Sequence, residues 1–545
     1  MSASDTSIAP STAGPASAGR LGRATWTEAL LLAALTALGL ALRLPGLSQS
    51  LFGDELSTYW VVTHHTGFGG VWDVVRSDAE ITPPLYFLAA KLSTQIDAGK
   101  EMLRLPSLIA GTATIPLTYL LGARTIGRRA GFVAAILVTL SPFMIYYSTE
   151  ARGYAVMIAL LLASTLCLLR ALEAPGVRWW VAYGAFSCAA MYTHYTVAFA
   201  LIAQALWALW FHPPARRAVL AANLGAALAY LPWASGAIAD LNSPTTSILS
   251  SLQPFTWDWI RDSLVHWLVA HPYGLVGLGD MPGAPSLALL LGGIVVALCG
   301  LALARAPEGR AAWVTPGLVL VVALALATPL GEALSSAVST NLLGTRNLAA
   351  SWPGFALVLG AIVAGPRPRP LWIAATALVV ASFAISAVRM LGASHRRPDT
   401  RQAAALIRAE PPGSTVVVDA AVVSPGPLSS LDVDLGRSRG SYSVVRLGVP
   451  QENRAPFGAG DVVASPVQVA SFARAAAGRG GRVIVVGSPT GPFGPQMAEL
   501  LRSLARSGLR VTSRRVSAGL LPVATIYLDR EPSGGGGRTP RPGTQ

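Results

Sequence analysis

The repeated long apolar segments constrain this chain more than any other feature of its sequence. Eleven runs approach the ~20 consecutive apolar residues that a helix needs to cross a lipid bilayer. Only 12% of the 545 residues are charged, whereas soluble domains carry about 25%. The sequence therefore predicts a polytopic α-helical membrane protein, with spans near residues 26–43, 104–122, 130–148, 154–172, 179–196, 197–212, 217–235, 285–304, 311–330, 347–364 and 370–389.

The arginines between these runs indicate which side of the membrane each connection faces. They fall in every second connection, and short cytoplasmic loops are the ones enriched in arginine. This alternation needs an odd number of spans after an inside N-terminus, so we interpret segment 82–96 as a re-entrant or interfacial helix on the outer side. The inside set is Arg124, Arg128, Arg129, Arg170, Arg178, Arg216, Arg217, Arg305, Arg310, Arg367 and Arg369.

The net charge of +14 does not indicate a nucleic-acid-binding protein. The arginines separate the apolar runs and are not gathered into one basic patch interleaved with aromatic side chains. The three cysteines all lie within apolar runs and have no partner at metal-ligand spacing, so we interpret them as packing residues. The lipid bilayer is the expected environment, and no nucleic acid is expected as a partner.

The composition changes near residue 390. HRRPDTRQAAALIRAE predicts an amphipathic helix, STVVVDA and GGRVIVVGSP predict buried strands, and MAELLRSLARSGLRV predicts a helix followed by a strand. LLPVATIYLDR adds a further strand, and this alternation is typical of a small α/β domain. We therefore divide the chain into a disordered cytoplasmic N-terminus (1–25), a transmembrane domain (26–389), an extracytoplasmic α/β domain (390–530) and a flexible tail (531–545).

Several polar motifs meet on the predicted outer side. GDE, at 53–55, follows the first span and contributes two adjacent acids, Asp54 and Glu55. YYSTEARGYA, at 146–155, places Glu150 and Arg152 at the mouth of two apolar helices, where charged residues are functional candidates. If the helix is continuous there, Glu150 and Tyr154 are four residues apart and share a face. An ordinary solvated loop is the alternative for each motif.

The order of these motifs resembles that of the GT-C glycosyltransferases. An acid pair after the first span is followed by T-P-P-L-Y, then R-L-P-S-x-x-A-G, then Y-Y-S-x-E-A-R-x-Y-A, then MYTHYT. RNLAASWPGFALVLG resembles a further motif of the group, with Asn347 in a position where Tyr is common, and DTRQAAALIRAEPPGSTVVV resembles the helix that opens its external domain. The resemblance covers residues 26–420 and is to the branch with protein O-mannosyltransferases, aminoarabinose transferases and Rgt-like enzymes.

This resemblance implies transfer of a sugar from a polyprenyl-phosphate carrier to an extracytoplasmic acceptor, with inversion at the anomeric carbon. An inverting transfer needs a carboxylate that accepts the proton of the acceptor hydroxyl, and Asp54 matches the acid of the family's first loop. Glu55 is its neighbour, and two close carboxylates are expected to raise the pKa of one of them. Glu150 matches the second family acid, while Arg152 and Arg346 are candidates for the carrier phosphate. Some family members use a divalent cation, so a metal is possible, although no oxygen cage is recognisable.

Other polar and aromatic residues leave alternatives open. His194, between Tyr192 and Tyr195, is either an interfacial anchor or a lining residue of the substrate cavity. His64 and His65 are adjacent, point apart on a helix and are interpreted as surface residues. Three tryptophans of the long connection 236–284 either lie at the membrane interface or stack on sugar: Trp257, Trp259 and Trp267.

Two other classes of protein remain as alternatives. A transporter or flippase for a lipid-linked or cell-envelope substrate would be expected to have paired repeats and charges at mid-membrane, and neither is recognisable here. A non-catalytic scaffold with an outer sensing domain explains the α/β domain but not the clustered acids. The sugar and the acceptor, whether protein, lipid or polysaccharide, are not determined by the sequence.

Overall fold

In the computed structural model of the chain, a bundle of apolar helices is followed by a mixed β-sheet with helices on its faces. The structure describes residues 25–77, 80–97, 99–174, 176–243, 255–268, 284–303, 315–339, 341, 343–365, 368–411, 415–420, 428–447, 463–477, 482–490 and 494–530. The predicted disordered N-terminus up to residue 24, the tail from residue 531, and Arg305, Arg310 and Arg367 lie outside the described residues.

The helices of the membrane domain follow the predicted spans in order. They are α1 (Trp26–Leu47), α2 (Asp54–His64), α3 (Gly67–Arg76), α4 (Leu85–Ser93), α5 (Lys100–Thr125), α6 (Arg128–Leu140), α7 (Pro142–Tyr147), α8 (Tyr154–Glu173), α9 (Val177–Met191), α10 (Val197–Phe211), α11 (Arg216–Tyr230), α12 (Ala234–Leu241), α13 (Trp257–Leu268), α14 (Ala284–Leu303), α15 (Pro316–Val338), α16 (Trp352–Ala364) and α17 (Arg369–Met390).

The predicted polytopic α-helical fold is confirmed, with a helix at each of the predicted spans. Within the described residues, seven helical segments are long and apolar enough to cross a membrane. The helix at the predicted span 197–212, α10, and the preceding helix α9 have 15 residues each, whereas α14, at the predicted span 285–304, has 20. Segment 82–96 contains only the nine residues of α4, which are too few to cross a bilayer.

The span predicted over 130–148 is interrupted in the structure. Ser141 is extended and ends α6, its hydroxyl accepts the Met144 N–H, and Pro142 opens α7 at a position where the missing N–H costs nothing. The chain then forms a short non-helical loop, residues 148–153, before α8 begins at Tyr154. Glu150 and Tyr154 therefore do not share one helical face, contrary to the continuous-helix expectation.

The membrane domain has one main apolar core, to which α6, α7, α8, α10 and α16 contribute most of the buried side chains. Close backbone approach is part of this packing. A methyl group at Gly111 of α5 would lie 2.0 Å from the Ser148 hydroxyl, so only glycine lets α5 approach loop 148–153 this closely. The glycine of the R-L-P-S-x-x-A-G motif is thereby explained by packing.

The C-terminal domain is the predicted α/β unit. Its elements are α18 (Thr400–Arg408), β1 (Thr415–Ala420), α19 (Ser430–Leu435), β2 (Ser443–Leu447), β3 (Val463–Ala464), α20 (Pro466–Ala477), β4 (Arg482–Gly487), α21 (Gly494–Arg506), β5 (Leu509–Ser517) and β6 (Val523–Arg530). The strand order is β3-β2-β1-β4-β6-β5. The first four strands are parallel, whereas β6 pairs antiparallel with both β4 and β5. Two apolar clusters cover opposite faces of this sheet.

The two domains are joined by polar contacts centred on Asp434 of α19. Its carboxylate forms a salt bridge of 2.8 Å with Lys100 at the start of α5. It also accepts hydrogen bonds of 2.6 Å from Ser50, after α1, and from Thr400, at the start of α18. The C-terminal domain is therefore held against the end of the bundle that carries the candidate site.

Candidate active site

The candidate residues of the outer motifs all lie at one end of the helix bundle. Residues 48–99 follow α1 and precede α5, loop 148–153 joins α7 to α8, and Arg346 lies in a short helical segment that leads into α16. The chain leaves α17 at this same end to enter the C-terminal domain. Whether this end faces the outside of the cell is a matter of orientation, which remains a prediction.

Asp54 is the first residue of α2 and is held there by an unusual turn. Gly53 precedes it with φ of 59° and ψ of −128°, a conformation that residues with a side chain rarely adopt. The Asp54 carboxylate accepts a hydrogen bond of 2.5 Å from Arg346, and both side chains remain about one-third exposed, at 32% and 33%. Asp54 is thus an accessible carboxylate with one guanidinium partner.

The electrostatic surroundings of Asp54 favour its charged form. Burial alone would raise its pKa, but the positive charges of Arg346 and Arg152 outweigh burial and hold the pKa below its ordinary value. The Asp54 charge in turn raises the pKa of Arg346. In the structure the two side chains form an ion pair, which favours the charged form of the Asp54 carboxylate.

Glu55 is fully buried and belongs to a different cluster from Asp54. Its carboxylate binds the Arg104 guanidinium through two hydrogen bonds of 2.7 Å, accepts the Ala151 N–H at 2.8 Å, and lies 3.4 Å from Arg397. Burial would raise its pKa, but Arg104 and then Arg397 hold the pKa below the ordinary value. The expectation that the Asp54–Glu55 pair raises the pKa of one member is wrong, because each carboxylate has its own arginine.

Glu150 is buried in loop 148–153, and its carboxylate has little polar contact. One oxygen lies 3.4 Å from the Tyr146 hydroxyl, and the other, Oε2, has no hydrogen-bond partner among the described residues. Burial, assisted by the negative charge of Glu55, raises the pKa of Glu150 to about 7. An unsatisfied buried oxygen is costly, and such exceptions in folded proteins point to a strained or functional group.

Arg152 lies in the same loop and is already paired. Its guanidinium binds the Glu80 carboxylate at 3.0 Å and the Thr82 hydroxyl at 3.1 Å, beside the ring of Phe87. Both charged side chains are buried, at 7% and 5% exposure. Arg346 is therefore the better placed of the two arginines to receive a phosphate, because only its partner Asp54 must be displaced.

His194 and Tyr154 line the same region from two further elements. Their rings are 5.1 Å apart, and His194 Nδ1 lies 3.0 Å from the Thr196 hydroxyl. The His194 side chain is buried. His194 thus lies beside the candidate site, and its part in binding stays a prediction.

Sequence reasoning did not identify three buried charged residues that shape the site. Arg104 and Arg397 bind Glu55, and Glu80 binds Arg152. Arg104 begins the R-L-P-S motif at the start of a predicted span, so its position at a helix end could have marked it as a site residue. Glu80 was one of many outer acids, and Arg397 lay beyond the last span, so nothing in their local sequence indicated these partners.

Other candidate residues are separated from this cluster or incorporated into packing. His64 and His65 end α2 at the surface side of the helix, and Trp267 packs its ring 5.3 Å from Phe355 in the core. Among the described residues, no group of three His, Cys, Asp or Glu side chains is arranged to hold a metal ion.

Comparison with known proteins finds one sequence family and several solved structures to which this chain is similar. Residues 82–236 match the sequence model of the family described as dolichyl-phosphate-mannose-protein mannosyltransferase. No match is found among proteins of curated function. In structure, the chain is similar to ArnT from Cupriavidus metallidurans bound to undecaprenyl phosphate, with 13% identity, 92% of this chain and 98% of that chain covered, and a TM-score of 0.47.

A second structure that resembles the chain is the archaeal oligosaccharyltransferase AglB from Archaeoglobus fulgidus, in complex with an inhibitory peptide and a dolichol-phosphate. It shares 13% identity over 89% of this chain and 73% of that chain, with a TM-score of 0.41. The family match falls on the segment that contains loop 148–153 and its buried charges. A helical membrane domain and a C-terminal α/β domain accompany this match, and residues 82–236 are similar to the family of dolichyl-phosphate-mannose-protein mannosyltransferases.

Proposed function

We propose that this protein transfers a sugar from a polyprenyl-phosphate-linked donor to an extracytoplasmic acceptor with inversion, and that Asp54 is the general base. The observation that carries the proposal is the accessible Asp54–Arg346 ion pair at the mouth of the bundle. A lipid-phosphate donor is supported by the matched family, which is described by dolichyl-phosphate mannose as its donor and protein as its acceptor.

The ion pair suits both requirements of an inverting displacement, which are a base for the acceptor hydroxyl and a cation for the leaving phosphate. The acceptor hydroxyl gives its proton to the Asp54 carboxylate as its oxygen bonds to the anomeric carbon. The bond from that carbon to the carrier phosphate breaks, and the phosphate leaves with the electron pair. The growing negative charge on the phosphate is stabilised by a guanidinium, and Arg346 can bind phosphate oxygens in a bidentate manner.

Donor binding also changes the basicity of Asp54. When a phosphate engages Arg346, the guanidinium no longer stabilises only the Asp54 carboxylate, and the added negative charge raises the pKa of Asp54. The base therefore becomes stronger only when the donor is present. Glu150, with its unpartnered Oε2, is available to accept a hydrogen bond from a hydroxyl group of the sugar or of the acceptor.

The decisive experiment measures release of polyprenyl phosphate by purified protein in nanodiscs. The donors are a panel of polyprenyl-phosphate sugars and the matching nucleotide sugars, with membranes of a deletion strain as the acceptor source. Wild type should consume one lipid-linked donor, and Asp54→Asn should lower turnover by ~10²–10⁴-fold. Asp73→Asn, which removes an exposed acid of α3 near the same end, is the matched control and should keep full activity.

Three results would contradict this proposal. One is transfer from a nucleotide sugar without lipid, and another is an Asp54→Asn variant with full activity. A product that keeps the anomeric configuration of the donor would exclude the single inverting step. Movement of an intact lipid-linked sugar across the membrane, without cleavage of the sugar–phosphate bond, would instead support the transporter or flippase alternative.

A further inference from the structure

Two adjoining cavities lie where the first and last spans meet the C-terminal domain. The larger, of about 200 Å³, is lined by the start of α18, the end of β5 and the residues that follow α1. The smaller lies beside it, against the outer ends of α1, α7 and α17. The two share Gln49, Arg396 and Arg397, so they form one continuous surface with a polar half and an apolar half.

The polar half carries an excess of positive charge. Arg396, Arg397 and Arg401 line it, against the single carboxylate of Asp399. Arg397 is turned towards Glu55, and Arg401 lies 3.3 Å from Asp399 while remaining 43% exposed. Arg396 is exposed and forms no ion pair among the described residues. At least one guanidinium is therefore free to bind an anion at this position.

The apolar half lies at the depth of lipid headgroups and upper acyl chains. It is lined by Leu42, five residues before the end of α1, and by Met390, the last residue of α17. Ile145 and Leu391 complete this apolar wall. Because helices that span the bilayer end near the headgroup region, the arginines are at the level where lipid phosphates lie.

The arginines of this seam are also exceptions in the charge pattern of the chain. In the predicted orientation arginine concentrates in the cytoplasmic connections, whereas Arg389, Arg396, Arg397 and Arg401 fall together on the opposite side. Arg397 and Arg401 have carboxylate partners, Glu55 and Asp399, so Arg396 is the cavity-lining arginine for which an anionic ligand would supply a partner.

We propose that this seam is a binding site for the phosphate group of a bilayer lipid, separate from the site at Asp54. Arg396 and Arg401 would hold the phosphate oxygens. One hydrocarbon chain would lie along Leu42 and Met390. The cavity is smaller than the ~300–1,000 Å³ of sites for drug-sized ligands, which suits a compact headgroup.

Native mass spectrometry of delipidated protein tests this site. The probes are phosphatidylglycerol, phosphatidylcholine, a polyprenyl phosphate and inorganic phosphate, each added at equal concentration. Wild type should retain phosphatidylglycerol or the polyprenyl phosphate, and Arg396→Gln/Arg401→Gln should weaken that binding by at least about tenfold. Arg474→Gln removes one charge from the exposed face of α20 and is the matched control, with binding unchanged.

The four probes separate the possible sources of the phosphate. Retention of the glycerophospholipid identifies a structural bilayer lipid, whereas preference for the polyprenyl phosphate identifies the carrier after transfer. Equal binding of phosphatidylcholine, binding of inorganic phosphate alone, or unchanged binding by the double variant would overturn the proposal. If the double variant does not fold, Arg396→Gln alone is the variant to use, because its side chain forms no ion pair in the described fold.

This lipid site does not depend on the proposed transferase reaction. The Asp54→Asn variant should bind the lipid as wild type does, even when its turnover is lost. A failure of lipid binding therefore leaves the role of Asp54 intact, and a fully active Asp54→Asn variant leaves the lipid site intact.

Discussion

Substitution of Glu55 by Gln should destabilise the protein strongly, although the neighbouring Asp54→Asn substitution should not. Glu55 and Arg104 are both fully buried, with side-chain exposures of 0%, and they form two hydrogen bonds of 2.7 Å. A neutral amide leaves the Arg104 charge buried without its counter-ion. Removing one partner of a buried pair costs about 3–5 kcal/mol, so the apparent melting temperature should fall by roughly 6–10 °C at ~2 °C per kcal/mol.

The assay is thermal unfolding of purified protein in one detergent, followed by tryptophan fluorescence and by the monodisperse fraction after heating. Asp54→Asn removes a carboxylate that is one-third exposed and should shift the midpoint by no more than ~2 °C. A double-mutant cycle with Arg104→Gln isolates the pair. The double variant should be more stable than the sum of the two single losses predicts, because it no longer buries the Arg104 charge without its counter-ion.

The sign of the pH dependence gives an independent check. The pKa of Glu55 is lowered in the folded protein, so its contribution is fully present above the ordinary carboxyl pKa. That contribution should be lost only as the pH falls through the lowered value. A Glu55→Gln variant with the melting temperature of wild type at pH 7 would show that the Glu55 carboxylate does not stabilise the fold by neutralising the buried arginines.

The remaining predictions concern the buried acid Glu150, the turn before Asp54 and the membrane orientation. Folding raises the pKa of Glu150 to about 7, so wild type should lose stability as the pH rises from ~5 to 7, whereas Glu150→Gln should be insensitive in this range and melt higher at pH 8. Gly53→Ala forces a side chain into a positive-φ conformation, should cost ~1–3 kcal/mol and should lower turnover; unchanged melting and activity would show that this turn is not constrained. In a background without native cysteines, an impermeant thiol reagent should label outer positions in whole cells and spare the inner one, and the reverse pattern would invert the orientation. The single cysteines, all at exposed positions, are Ser77→Cys and Ser471→Cys outside and Arg217→Cys inside.

The spans and the C-terminal strands were predictable because they depend on local composition. An apolar run of about twenty residues can satisfy its backbone in lipid only as a helix, wherever the rest of the chain goes. The strand at 415–420 was predictable for a similar reason, since its β-branched run favours a buried strand. Short elements such as α19 and β2 were missed, because a stretch of five or six residues carries no clear periodicity.

The arginine partners of Asp54 and Glu55 could not be predicted, because they depend on the directions of the two side chains and on segments distant in the sequence. Adjacent residues at the start of a helix point in different directions, so Asp54 remains accessible while Glu55 is buried. Their arginines are 292 and 49 residues away. The sequence motifs identified which segments gather at one end, but only the structure distinguishes the accessible acid from the one that holds the segments together.

Arg397 links the segment after the last span to the candidate site in the membrane domain. It lies beyond the last span, in the segment that leads to the sheet, yet its guanidinium lies 3.4 Å from Glu55, donates to the Thr149 carbonyl and covers the ring of Tyr146. A truncation after residue 390, or a chimera that exchanges the C-terminal domain there, would remove the Arg397 guanidinium that lies beside Glu55. Chimeras between relatives should therefore keep residues 391–401 with the membrane domain. A boundary at residue 390 would separate Arg397 from Glu55.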